Sequence, residues 1–133
     1  MQRCSIGAYR RSVFAIFVLL PCLIAIRADD LPVIKCSEAA WYEGKHVEVR
    51  DLVISVTSSP LGTTFINFGG DYPNQIFAGF IAAGSKMADD PRLTTLQGKI
   101  IDIIGTIVLD EGKPEIKVLS ANQISILAPR PVQ

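Results

Sequence analysis

Two phrases in this chain share one grammar: Gly44-Lys45-His46-Val47-Glu48-Val49-Arg50-Asp51-Leu52-Val53 and Gly98-Lys99-Ile100-Ile101-Asp102-Ile103-Ile104-Gly105-Thr106-Ile107. Each opens on a Gly-Lys turn and continues as an apolar/acidic/apolar alternation, the period of a half-buried strand. Each then meets Asp51 or Gly105 where a smooth strand favours a β-branched residue, and each resumes apolar sequence. Such a break predicts a bulge or sharp bend inside a long strand. Two long bent strands in so short a chain constrain it to a small closed barrel.

The N-terminus reads differently. Arg3, Arg10 and Arg11 precede a nearly unbroken apolar run of 14 residues from Val13 to Ile26, and Ala25 and Ala28 stand at cleavage-like positions before Asp29-Asp30. This is the pattern of a secretory signal peptide over residues 1–28, too short for an ordinary transmembrane helix. It predicts an exported protein, periplasmic or secreted. A retained N-terminal membrane anchor is the alternative; a lipoprotein built on Cys22 is disfavoured because Leu20-Pro21 are not the small residues that precede a lipidated Cys. Residues 29–133 then form a single domain with its core at about 34–127, and no membrane span follows. Beyond residue 28 the chain holds nine basic against 13 acidic residues, a net charge of −4. A domain that grips polyanions by releasing counterions is normally basic, so this balance weighs against tight non-specific nucleic-acid binding. Cys36 is the one Cys beyond residue 28. It cannot form an internal disulfide and reads as buried and inert.

The rest of the chain supplies the element order. A short helix over Glu38–Glu43, with Ser37 as cap and Gly44 as stop, is expected to use Trp41 as a lid on the core. Strands follow at Val47–Thr57, Thr63–Phe68 and Gln75–Ala82. A short helix begins near Asp90 or Pro91 and runs to Leu96. Strands at Ile100–Leu109 and Glu115–Leu119 close the series, before a final extended piece at Ile124–Leu127. Helix, three strands, connecting helix, two strands is the element order of an OB-fold. The fold class is therefore mainly β: a five-stranded Greek-key barrel with a short N-terminal helix and another helix between strands three and four.

The segment Thr64-Phe65-Ile66-Asn67-Phe68-Gly69-Gly70-Asp71-Tyr72-Pro73-Asn74-Gln75-Ile76-Phe77, with Leu96-Gln97-Gly98-Lys99 and Gly112-Lys113-Pro114-Glu115-Ile116, resembles a family of bacterial OB-fold domains. These are described as nucleic-acid-binding-like, and many are exported. The resemblance spans about residues 34–127, and Asn67-Phe68-Gly69 with Tyr72-Pro73 is its most specific part. One departure stands at the first strand's bend, where the family tends to carry Gly and this chain has Asp51. The resemblance implies the barrel strongly and the ligand class weakly, because fold does not set function.

The aromatic group Phe65, Phe68, Tyr72, Phe77 and Phe80 is the leading binding candidate, since OB-folds use strands two and three and the adjoining loops to stack bases or sugars. Alternation sets Phe65 and Asn67 on one face of the second strand and Ile66 and Phe68 on the other. The Asn67 face is expected to point outward. The expected ligand-contacting set is Phe65, Asn67, Tyr72, Asn74, Phe77, Lys99 and Lys117, with the aromatics stacking, the loop amides orienting and the lysines meeting phosphate. Lys45, Arg50 and Lys113 could join such a groove, although Glu48, Asp102 and Glu115 argue for an ordinary mixed-charge surface. Asp71 and Asn74 fall far short of a Ca²⁺ ligand set. His46 is the single His, and there is neither a Cys/His cluster for zinc nor a nucleophile-elbow Ser. The three arginines beyond residue 28 match no nuclease motif. No catalytic residue, metal or cofactor is expected. The reading is an exported, non-catalytic binding module for single-stranded nucleic acid, an oligosaccharide or another oligomer. The alternative is a cell-envelope interaction domain that binds a protein or small molecule and has no nucleic-acid role.

Overall fold

The computed structural model describes residues 30–128. The expected signal peptide, residues 1–28, lies outside the described residues. The described chain is mainly β, with seven strands in a mixed sheet: β1 (Val33–Ile34), β2 (His46–Ser58), β3 (Thr64–Phe68), β4 (Phe77–Ile81), β5 (Ile100–Asp110), β6 (Lys113–Lys117) and β7 (Ile124–Ile126). Hydrogen-bonded neighbours run β1-β2-β3-β4-β6-β5-β7, and β2 also pairs directly with β5. The β1–β2 and β4–β6 pairs are parallel. Val33 and Ile34 pair with Glu48 and Val49, a short strand beyond those expected from the sequence. No helix among the described residues is long and apolar enough to cross a membrane.

The two long strands change partners along their length. β2 pairs with β5 from His46 to Leu52 and with β3 from Val53 to Ser58. Its register breaks between Val53 and Ser55. The irregularity therefore falls just beyond Asp51, which stays in register with Ile101. The Asp51 carboxylate instead fastens backbone: it accepts the Cys36 N–H at 3.1 Å and its neighbour Leu52 N–H at 2.8 Å. β5 faces β2 up to Thr106 and β6 from Ile107 onward, so its change of partner falls beside Gly105. A Cβ at Gly105 would stand 2.4 Å from Ile116 Cγ2. The crossing strand can come that close only because this position carries no side chain.

The N-terminal helix is a 3₁₀ helix from Cys36 to Tyr42. It begins earlier than expected, where the Lys35 N–H donates to Glu38 Oε2 at 2.9 Å. A three-residue period puts Cys36, Ala39 and Tyr42 on one line toward the core. Cys36 and Ala39 are buried and Tyr42 packs against the core. The same period turns Trp41 outward, 81% exposed, so it is not a lid. The connection between β4 and β5 holds two short 3₁₀ segments, Lys86–Asp89 and Pro91–Thr95. Asp90 separates them. It accepts the Arg92 N–H at 2.9 Å, and Arg92 donates onward to the Ala121 and Ile124 carbonyls, fastening this connection to the chain's last strand.

One core lies between the strands. Val47 and Val49 from β2, Ile66 and Phe68 from β3, Phe77 and Ile81 from β4 and Ile103 from β5 are fully buried in it. Their spacing follows the alternation read from the sequence, with every second residue of β3 and of β4 turned inward.

Candidate binding cleft

The inward alternation of β3 leaves Phe65 and Asn67 on its other face, where β4 carries Ala78 and Phe80. Phe65 is directly opposite Phe80, and Asn67 opposite Ala78. The parallel β4–β6 pair extends the two rows: Lys117 lies beside Phe80, and Glu115 beside Ala78. One row is thus aromatic with a lysine at its end, and the other is polar around a small residue.

The loop from Gly69 to Ile76 folds back over these rows. Gly69 holds φ +74°, and a Cβ there would collide with Ile76. The Asn74 N–H closes on the Asp71 carbonyl at 2.6 Å, and the Ile76 N–H on the Phe68 carbonyl at 3.0 Å. Asp71 Oδ1 accepts from Ser55 Oγ at 2.6 Å and from the Tyr72 N–H at 2.8 Å, which anchors the loop to β2. The loop thereby delivers Tyr72 onto Phe65, with ring centroids 5.6 Å apart and 29° between planes. Phe65 meets Phe80 edge-on at 5.7 Å. Such pairs add about 0.5–1.5 kcal/mol beyond their buried area, so the tier is a stable platform.

Against this tier lies a cleft of about 180 Å³. Phe65 and Tyr72 form one wall; Gln75, Ala78 and Glu115 lie along it, and Asp110, Glu111 and Lys113 of the β5–β6 turn complete the rim. Lys113 Nζ donates to the Pro73 carbonyl, joining the two loops across the mouth. Glu115 is 8% exposed; burial, and then the charge of Asp110, pushes its carboxyl above the ordinary value, against the pull of Lys117. Gln75 is equally buried, and its Oε1 has no hydrogen-bond partner.

The seven expected contact residues divide five ways. Phe65 and Tyr72 line the cleft, and Tyr72 is well exposed. Lys117 and Asn74 are exposed nearby, one beside Phe80 and the other on the loop. Asn67 faces outward as the alternation requires, yet it is fully buried. Its Nδ2 donates to Ser55 Oγ and Thr57 Oγ1, both at 3.0 Å, and its Oδ1 has no partner. It is a strut beneath the site rather than a surface for ligand. Phe77 lies in the core against Phe68, at 5.3 Å, and no ligand can reach it. Lys99 is exposed at the start of β5, its carbonyl accepting from Val53 N–H, and does not join the cleft. Gln75, Asp110, Glu111 and Glu115 were not among the expected residues. The alternation of Glu115 is visible in Lys113-Pro114-Glu115-Ile116-Lys117, but the parallel β4–β6 pairing that carries it to Ala78 leaves no local trace.

The other basic candidate is already engaged. Arg50 grips Asp102 through Nε to Oδ1 at 2.7 Å and a second nitrogen to Oδ2 at 2.9 Å, and it also reaches Glu48 at 3.0 Å. Burial pushes the Asp102 carboxyl up, but hydrogen bonds from Arg50 and Glu48 outweigh it and leave the group below its ordinary value. The Asp102 hydrogen bond and burial push Glu48 the other way. A carboxyl lowered in the folded state stabilises above its unfolded value and loses that contribution as pH falls through the folded one. Arg50→Ala removes the larger cause of the lowering. The gap in urea midpoint between wild type and variant is therefore expected to be widest near neutrality and to narrow as pH falls through the carboxylate range. The buried Cys36 thiol is pushed up to about 12 by burial first and then by Asp51, so it stays protonated and unreactive at neutral pH.

No family model matches the chain, and no curated protein matches it. Among solved structures it is similar to one described as an aspartyl-tRNA synthetase from Leishmania major Friedlin. The identity is 15% and the TM-score 0.47, over 85% of this chain and 24% of that one. The chain thus spans about a quarter of that protein's length.

Proposed function

We propose that this chain is an exported, non-catalytic binding module on an OB-type Greek-key barrel, with its ligand face across β3, β4 and β6. The barrel reading rests on the pairing circuit: β2, β3, β4, β6 and β5 are neighbours in turn, and β5 returns to β2. Five strands linked in that order, two of them long and bent, are what a small Greek-key barrel requires. Export rests on the pattern of residues 1–28, and the family resemblance of residues 64–77 points to the same class of module.

The observation that carries the functional reading is the Phe65–Tyr72 pair open along a cleft, with Phe80 supporting Phe65 edge-on. Rings held in this way accept flat or apolar faces of a chain-like ligand. Stacked aromatics alone would suit nucleic-acid bases. The rim speaks for a different ligand: Asp110, Glu111 and Glu115 surround the cleft, while Lys113 is committed to Pro73. A phosphodiester chain would meet like charge there. The reading best supported is accordingly the envelope interaction domain, binding a peptide, oligosaccharide or small molecule.

Amide chemical-shift mapping with short peptides, oligosaccharides and single-stranded DNA and RNA at low salt tests it. Shifts are expected to centre on Phe65, Tyr72 and Ala78. Tyr72→Ala and Phe65→Ala should each weaken binding by about 1–3 kcal/mol, the range of an aromatic stacking contact. Shifts centred elsewhere, with both variants binding as wild type, would overturn the reading.

A further inference from the structure

We propose that the cleft between Tyr72 and Glu115 is a receptor for an organic cation, a guanidinium or alkylammonium group, held by Glu115 and Gln75 Oε1 against the face of Tyr72. The proposal rests on the binding-face reading above and adds the chemistry of what enters.

The lining is rich in acceptors and short of donors. Gln75 is more than nine-tenths buried, it lines the cleft, and its Oε1 has no donor. Glu115 is buried to the same degree, and no side-chain hydrogen bond reaches it from the described residues. A buried acceptor left unpaired is costly, and a charged one more so. Lys113, the one cation on the rim, already donates to the Pro73 carbonyl. Lys117 faces Glu115 from two residues along β6 and offsets part of its charge, but Asp110 and Glu111 add theirs from the turn. A ligand that brings donors and positive charge meets this shortfall.

Three ligand chemistries can be compared. A phosphate supplies acceptors to acceptors and negative charge to negative charge. A neutral polyol supplies donors but leaves the carboxylates without a counter-charge. An ammonium brings three donors and a guanidinium five, with no acceptor on either. Either satisfies Gln75 and pairs with Glu115, and the exposed Tyr72 ring offers its face to the same charge. A planar guanidinium also matches a carboxylate fork and stacks on an aromatic ring, so it suits this site better than a compact ammonium.

Calorimetric titration of the protein tests this with four probes: an arginine-bearing tripeptide amide, the same peptide with uncharged citrulline in place of arginine, spermidine, and an oligothymidylate. The arginine peptide should bind, and the citrulline peptide should bind at least tenfold more weakly. Glu115→Gln, close in shape and relieved of a buried charge, should melt no lower than wild type and lose at least tenfold in affinity for the arginine peptide. Binding of spermidine at similar strength would identify free polyamines as a source of the cation; its failure beside a binding peptide would identify a polypeptide side chain. Equal affinity for the arginine and citrulline peptides, or unchanged affinity in Glu115→Gln, would overturn the proposal. If oligothymidylate shifts the Phe65, Tyr72 and Ala78 amides while neither cation does, the cation proposal falls and the binding-face reading survives. If no probe shifts them, the cation proposal falls, and the binding-face reading falls with it only if oligosaccharides also leave those amides unmoved.

Discussion

Replacing Phe77 by Ala will lower the stability of this domain by about 3–5 kcal/mol, the range for truncating a buried Phe. Phe77 is fully buried, its ring 5.3 Å from that of Phe68, and β4 presents it to the same interior as Ile81. Truncation leaves a cavity between two paired rings whose strands are fixed by hydrogen bonds on both sides, so little collapse can fill it. Against a total of roughly 5–15 kcal/mol for a domain of this kind, that is a large share. Far-UV circular dichroism in urea is the appropriate measurement, because Trp41 is too exposed to report core unfolding. Phe77→Leu should recover much of the loss, and Tyr72→Ala, at an exposed ring, should stay within about 1 kcal/mol of wild type. The pair separates two roles that look alike along the sequence: a Phe77→Ala protein loses ligand only as it unfolds, and a Tyr72→Ala protein loses ligand while folded.

Asn67→Asp will be nearly as severe despite its small change in shape. At neutral pH the loss should be about 2–4 kcal/mol, the cost of burying a charge in place of an amide that makes two hydrogen bonds. Asn67 is fully buried and gives both Nδ2 hydrogens to the hydroxyls of Ser55 and Thr57. A carboxylate has no hydrogen to give. The Ser55 hydroxyl cannot serve it either, because its proton already goes to Asp71. The new carboxyl at position 67 must then have a folded-state pKa above its unfolded value, since burial and Asp71 both penalise its charge. A raised pKa means the deficit is smallest below the unfolded value and grows as pH rises through the folded one. Urea midpoints across the acid-to-neutral range should therefore converge with wild type at low pH. A constant difference across that range would show that this position does not sense charge.

These two residues also mark how far the chain could be read from its letters. The alternation of β3 and β4 was legible, and so was the partition of Ile66 and Phe68 from Phe65 and Asn67. What alternation cannot say is how deeply an outward residue is covered. Asn67 points away from the core, yet Ser55 and Thr57 of β2 close over it. Trp41 failed in the opposite direction: an apolar residue on a short helix reads as core, but the 3₁₀ period aligns Cys36, Ala39 and Tyr42 inward and leaves Trp41 in solvent. The expected bend at Asp51 lies instead between Val53 and Ser55, and the Asp51 carboxylate holds the start of the first helix.

The sequence by itself determined the elements of this protein: strand periods, turn glycines, the two long broken strands and a row of aromatic side chains. Those are local properties, written in spacing and backbone preference, and they are legible over a few residues. Tertiary structure alone decided the chemistry of the cleft. Glu115 comes to Ala78 through a parallel pairing of strands distant in the chain, and Tyr72 comes to Phe65 through a loop tied to Ser55. Partner choice between distant strands depends on how the entire core closes, which no short segment encodes. The repeated Gly-Lys phrase thus specifies the frame, and the residues that give the site its charge are set by what that frame brings together.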